Sequence, residues 1–265
     1  MILCDLDMVL ATSNGCDTLV GQPIHRTFQD RPGELDLIKR DGIPFHIVTA
    51  KVEQEARTVL HAIGLEGYVT SVIGANSLLW PTLRCAVKER RMPTSISKAF
   101  WRTAIRDIEV PEKIQRVVMI EDRRSNLLDM LKYGSIDVGI LVPQMRLAGE
   151  SVVEWFDLNL VLRLARNLAL GVDCGGLLSA YPLRVYQWRE SGLEAADAES
   201  LLAGRETYRH LIELAALSPM SDQEQAFKLQ SFETGQILVA SKFNMASLLR
   251  ACKKIGNRLR PPSLR

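Results

Sequence analysis

Three short apolar runs in this chain end in side chains that can do chemistry. Ile2-Leu3-Cys4 leads into Asp5-Leu6-Asp7, Pro44-Phe45-His46-Ile47-Val48 into Thr49, and Val117-Val118-Met119-Ile120 into Glu121-Asp122, with Asn126 shortly after. Lys98 stands 24 positions before Asp122, where a helical pattern begins. Carboxylates can attack an electrophile, carry protons or hold a hard cation. A hydroxyl and an ammonium can bind the oxygens of an anion. Singly, each has a plain explanation. A solvated loop accounts for Asp-x-Asp, a helix cap for Thr49, a surface side chain for Lys98 and a dipole-compensating pair for Glu121-Asp122. Their recurrence at the ends of successive apolar runs asks for one scaffold that gathers them.

That scaffold is legible in the first half. Apolar runs at 2–4, 44–48, 68–73, 117–120 and 138–142 alternate with helical spacing at 33–40, 53–63, 97–108 and 125–132. Gly64 ends the second helical stretch where a left-handed residue suits. Continuous apolar strands alternating with helices predict a parallel sheet covered on both faces. In such a sheet ligands bind at the carboxyl ends of the strands, which is where the polar residues fall.

The ordered set resembles the haloacid dehalogenase superfamily, whose phosphatases carry Asp-x-Asp-x-Thr/Val, a Ser or Thr, a Lys and an acidic pair. Here the four read Asp5-Leu6-Asp7-Met8-Val9, Ile47-Val48-Thr49-Ala50, Lys98, and Ile120-Glu121-Asp122-Arg123-Arg124-Ser125-Asn126, within residues 1–145. The resemblance implies a Rossmann-like core and a Mg²⁺-dependent phosphomonoesterase. By it, Asp5 is the nucleophile that becomes an aspartyl-phosphate, and Asp7 the acid and base. Thr49 and Lys98 bind the phosphoryl oxygens, and Asp5, the main-chain carbonyl of Asp7 and Asp122 hold Mg²⁺. Glu121 and Asn126 support the ion. The acid at position 7 favours phosphate hydrolysis over carbon–halogen cleavage, since the dehalogenase branch lacks it. Two places depart from the family pattern. Met8 and Val9 stand where members commonly carry Gly-Thr, and the last motif has Asn126 in place of a later Asp. Arg123 and Arg124, directly after the acidic pair, are candidates for binding the substrate.

Spacing bears on the substrate. Asp7 and Thr49 are 42 positions apart, and Thr49 and Lys98 49 apart. The first interval holds a β-hairpin flap around 11–26 and a helix, the second a helix, a strand and a loop. Neither admits a large inserted cap, so the core reads as capless and open to a bulky phosphorylated substrate such as a nucleotide or nucleic-acid end. A phosphoprotein phosphatase fits the same open site. A third reading, from another class, keeps the fold as a non-catalytic scaffold.

Beyond about 143 the rhythm changes. Val152, Val153, Phe156, Leu160 and Leu164 follow helical spacing, 194–217 reads as a helix, and Ser221-Asp222-Gln223-Glu224 fits a capping box. The expected layout is a core over 1–148, a mostly α-helical domain over 149–241 that acts as lid or protein-docking module, and a basic helix end and tail over 242–265. The tail has seven basic residues and no acidic one, which makes nucleic acid a candidate partner. Overall, 33 Lys plus Arg face 31 Asp plus Glu, so any attraction to polyanions is local. No apolar run is long enough for a membrane span, Asp5 and Asp7 interrupt the only candidate leader, and no membrane association is expected. Five scattered cysteines, with no CxxC pair, predict a reducing cytoplasm.

Overall fold

The computed structural model describes residues 1–13, 24–28, 31–90, 93, 95–105, 110–144, 146–148, 151–154, 156–180, 182–197, 201, 209–216 and 231–232. The chain opens with β1 (Ile2–Cys4), fully buried, followed by a hairpin of β2 (Ala11–Ser13) and β3 (Ile24–Arg26), antiparallel with Ala11 opposite Arg26. This is the flap expected around 11–26. Helix α1 (Gly33–Arg40) carries Glu34 and Asp36 in its first turn and Lys39 and Arg40 in its last, as the helix dipole favours. Then come β4 (Phe45–Val48), α2 (Glu53–Ala62) and β5 (Ser71–Ile73). Gly64, φ +75°, takes the left-handed conformation just beyond α2.

The next element, α3 (Ala75–Lys88), is a 14-residue helix where the sequence reads as a loop. Pro81 lies inside it, and an interior proline is what hides a helix from a reading by spacing. The helix expected over 97–108 is a 3₁₀ turn at Lys98–Phe100 running into the short α4 (Trp101–Ala104). Strand β6 (Val118–Glu121), helix α5 (Arg124–Lys132) and strand β7 (Val138–Leu141) complete the first half as expected.

The second half differs from its expected helical character. Val152 and Val153 belong to a strand, β9 (Ser151–Glu154), paired with β8 (Arg146–Ala148). Helical spacing becomes a helix only at α6 (Leu158–Leu170), where the Asp157 carboxylate accepts from the backbone N–H groups of Asn159 and Leu160. After the short α7 (Gly175–Ala180) the chain returns to strands, β10 (Leu183–Arg189), β11 (Gly192–Ala196) and β12 (Arg209–Leu214), and the end of β11 and all of β12 fall where 194–217 reads as a helix. In β10 Val185 and Gln187 are buried while Arg184 is exposed and Tyr186 and Trp188 are half-buried, a period of two. His210-Leu211-Ile212 is a short buried run, and such runs carry no period that separates strand from helix. A last strand, β13 (Ser231–Phe232), pairs with β3. The expected capping box at 221–224 and the basic tail at 242–265 lie outside the described residues.

The main sheet has eight strands in the order β11-β10-β12-β7-β6-β1-β4-β5. The five expected strands and β12 are parallel; β10 and β11 are antiparallel additions. The fold is thus a mixed α/β, Rossmann-like arrangement with a large, mostly parallel sheet. Strands β10 to β12 extend this sheet past β7. Helix α6 lies against β1 and β6 and beside α1, where Arg163 pairs with buried Glu34 at 2.7 Å and Arg166 with Asp41 at 2.6 Å.

Candidate active site

Register brings the predicted residues to one edge. Cys4 lies opposite Ile47 on one side and Ile120 on the other. The residues that follow, Asp5, Val48-Thr49 and Glu121-Asp122, therefore emerge together at the carboxyl ends of the three central strands. The Asp5 N–H still donates to the Ile120 carbonyl at 2.9 Å. Beyond it the chain coils, with the N–H groups of Leu10 and Ala11 both donating to the Leu6 carbonyl at 3.0 Å. Met8 enters the left-handed region, φ +63°. The coil keeps Asp7 near the edge that Asp5 occupies, where an uninterrupted strand would carry it ~6.6 Å farther along.

Lys98 is the hub. Its ammonium lies 2.6 Å from Asp5 Oδ2 and 2.7 Å from Glu121 Oε2, and all three residues are buried. Ser97, the cap of its 3₁₀ turn, fixes the backbone there. The Ser97 hydroxyl donates to Asp129 on α5 at 3.1 Å, and its N–H donates to the Thr82 hydroxyl on α3 at 3.1 Å. Burial pushes the Asp5 carboxyl up to about 7, against the pull of Lys98 and with the repulsion of Glu121. Burial alone would lower the Lys98 ammonium; Asp5 and Glu121 outweigh it and carry the group above its ordinary value, so it stays charged.

Asp7 sits farther out. Burial raises its carboxyl above the usual range, while the Lys51 ammonium, 3.2 Å from its Oδ1, pulls it down. Thr49 is fully buried, and its hydroxyl oxygen accepts from the Lys51 N–H at 3.2 Å. Asp122 is buried, with its Oδ2 accepting from the Gln144 amide at 2.9 Å. The Arg123 N–H donates to Glu121 Oε1 at 3.2 Å, and its side chain is exposed. Arg124 is engaged elsewhere: it pairs with Glu213 of β12 at 2.8 Å and lies over the Tyr186 ring of β10. Asn126 is half-buried in the first turn of α5, and among the described residues its side chain hydrogen-bonds to none.

Asp5, Glu121 and Asp122 each offer a carboxylate oxygen within 4.8 Å of the others. Glu121, expected only as outer support, is thus a member of the group. Counting Asp7, four carboxyl groups face two ammonium groups, and three of the four are buried. That negative excess and its hard oxygen donors fit Mg²⁺. Bound there, the ion would supply positive charge to the oxygens of a phosphoryl group.

Lys51 and Gln144 were not among the residues singled out from sequence. The same signal could have found both, since Lys51 closely follows β4 and Gln144 follows β7, at the carboxyl edge of the sheet.

No protein-family model matches the sequence, and no curated protein is significantly similar to it. Among solved structures, a haloacid dehalogenase-like family hydrolase from Streptococcus pneumoniae is similar over 41% of this chain and 42% of its own, at 14% identity and a TM-score of 0.28. A haloacid dehalogenase superfamily hydrolase from Ehrlichia chaffeensis is similar over 49% of this chain and 54% of its own, at 16% identity and a TM-score of 0.28. The chain thus spans about half the length of each. Likenesses of this size do not define a function, which rests on the chain's own residues. Among the described residues no helix is long and apolar enough to cross a membrane.

Proposed function

We propose that this chain is a Mg²⁺-dependent phosphomonoesterase of haloacid dehalogenase type, acting through an aspartyl-phosphate on Asp5. The observation that carries the reading is the buried Lys98 ammonium shared by Asp5 and Glu121 at the sheet's carboxyl edge, with Asp122 beside them. Such a site can bind a phosphate dianion next to a carboxylate without prohibitive repulsion, because Lys98 remains charged. The Asp5 carboxylate attacks phosphorus, and the bond from phosphorus to the leaving oxygen breaks as that oxygen takes the Asp7 proton. Water then attacks the aspartyl-phosphate and gives its proton to Asp7, and the bond from phosphorus to Asp5 breaks. Thr49 and Lys98 hold the phosphoryl oxygens through both steps. Mg²⁺ would be held by Asp5, Asp122 and the Asp7 carbonyl, with Glu121 adjoining.

The preferred substrate class is a nucleotide or nucleic-acid end. A capless reading favours it: the described elements between Asp7 and Lys98 are a short hairpin, helices α1 to α3, a 3₁₀ turn and strands β4 and β5. The three described cysteines, Cys4, Cys85 and Cys174, are free thiols, which suits a reducing cytoplasm.

Hydrolysis of p-nitrophenyl phosphate tests the reading. The wild type turns over with Mg²⁺ and loses activity to a chelator, and Asp5→Asn is slower by at least ~10³-fold. Equal rates for wild type and Asp5→Asn would refute it. A screen over nucleotides, end-phosphorylated oligonucleotides, phosphopeptides and sugar phosphates then ranks the substrate classes.

A further inference from the structure

Lys51 has no role in the chemistry above, yet it is held as firmly as the residues that do. Its side chain is only 8% exposed, against the normal habit of lysine, and its ammonium reaches Asp7 Oδ1 at 3.2 Å and Glu55 at 3.7 Å. Its backbone is pinned at both ends of the residue. The N–H donates to the Thr49 hydroxyl, and the carbonyl accepts from the Ala75 N–H at 2.7 Å. The second contact exists because position 74 is glycine. A Cβ there would lie 2.6 Å from the Lys51 carbonyl oxygen and 2.6 Å from the Glu53 nitrogen, closer than atoms approach. Glu53 completes the junction. Its carboxylate accepts from the Ser77 hydroxyl and the Gly74 N–H, and its N–H donates to the Asn76 side chain. The loop after β4 is thereby fastened to the start of α3.

Asp7 is placed differently. It rides on the coil that passes through left-handed Met8, and its side chain is 40% exposed. Among the described residues, Lys51 is the one whose side chain pairs with its carboxylate. A proton carrier has to stand within hydrogen-bond reach of the leaving oxygen, and a misplacement of about 1 Å can cost ~10²-fold.

We propose that Lys51 is a positioning residue for Asp7: by holding Oδ1 from a fixed loop, it leaves Oδ2 to meet the leaving oxygen and, later, the water. The assignment rests on the phosphomonoesterase reading. Lys51 acts through Asp7, so its removal is felt where proton donation matters and spared where it does not.

The test is kcat/KM for a series of aryl phosphates of graded leaving-group pKa, from p-nitrophenyl phosphate to phenyl phosphate, with Mg²⁺. Lys51→Met is expected to lower kcat/KM for phenyl phosphate by ~10–100-fold but for p-nitrophenyl phosphate by less than about threefold, since nitrophenolate leaves without a proton and kcat/KM does not include the later water step. Lys51→Arg, which keeps the cation, restores most of the loss. In an Asp7→Asn background, Lys51→Met changes neither substrate further. Lys51→Gln is read alongside, so a failure of the Met variant to fold does not decide the matter. Equal losses across the series, or an undiminished loss in the Asp7→Asn background, overturn the assignment and make Lys51 a substrate-binding or purely structural cation. Wild type and Asp5→Asn are run with the series. If those two are equally slow, the phosphatase reading fails and takes this assignment with it; if wild type is active and the series is flat, only the role of Lys51 fails.

Discussion

At the scale of single residues, the loop after Asp5 holds a conflict between conformation and side chain. Met8 occupies the left-handed region at φ +63°, where Cβ crowds the following carbonyl and a residue other than glycine pays ~1 kcal/mol or more. Its N–H donates to the Ala11 carbonyl at 2.7 Å, so the conformation closes the coil that keeps Asp7 near the edge. Met8→Gly and Met8→Ala both remove the side chain beyond Cβ, and only glycine also removes Cβ and relieves the backbone. In urea unfolding Met8→Gly is therefore expected to be more stable than Met8→Ala by about 1 kcal/mol, the reverse of their order in a helix or strand interior. A more stable alanine variant would show that this backbone is not strained. The residues of the candidate site divide along a related line. Asp5, Thr49, Glu121 and Asp122 could be read from sequence because each follows an apolar strand directly. Lys51 and Gln144 could not be assigned partners, because Asp7 meets Lys51 through a coil and Asp122 meets Gln144 across two strand ends. Arg124, a substrate-binding candidate beside the acidic pair, proves to be tied to Glu213, a partner 89 positions away that spacing does not reveal.

At the scale of elements, the pairing of β4 with β5 carries a pH-sensitive group. His46 is buried between strands, its Nδ1 2.7 Å from the Ser71 hydroxyl of β5 and its Nε2 without a partner among the described residues. Burial, with the charge of the Met1 amino group adding to it, lowers the imidazole from 6.5 to about 4. The unfolded chain takes up a proton near 6.5 while the fold refuses it until about 4. His46 therefore removes stability as pH falls through that window, reaching about 3 kcal/mol, and has no effect above it. Urea unfolding of wild type and His46→Gln between pH 7.5 and 4 checks this: the gap in stability should shift toward the glutamine variant as pH falls. Asp5, whose carboxyl is raised, acts in the opposite sense over the same range, so the difference between the two proteins is the quantity to read. A gap independent of pH would contradict the burial of His46. Elements also mark where sequence reading succeeds. The five central strands are legible because parallel strands buried on both faces are unbroken apolar runs. Helix α3 is hidden by Pro81, and β12 by the resemblance of a short buried strand to a piece of helix.

At the scale of the whole molecule, the sheet and the site are one construction. The parallel strands deliver Asp5, Thr49 and Glu121-Asp122 to a shared edge, and helices α3 and α5 clamp the turn that presents Lys98. Strand β12 continues the parallel order beyond β7, and the Arg124–Glu213 pair ties that extension to the helix that starts beside the acidic pair. Helix α6 belongs to the covering of this same sheet through its buried face and the Glu34–Arg163 pair.

The central claim is that Asp5 carries the phosphoryl group. Acid-quenching the protein during turnover of p-nitrophenyl phosphate with Mg²⁺, followed by mass spectrometry of its peptides, reads this directly. The account predicts that the peptide containing Asp5 gains the mass of one phosphoryl group, that the adduct persists longer in Asp7→Asn, and that Asp5→Asn shows none. Turnover without an adduct, or an adduct on another residue, would contradict it.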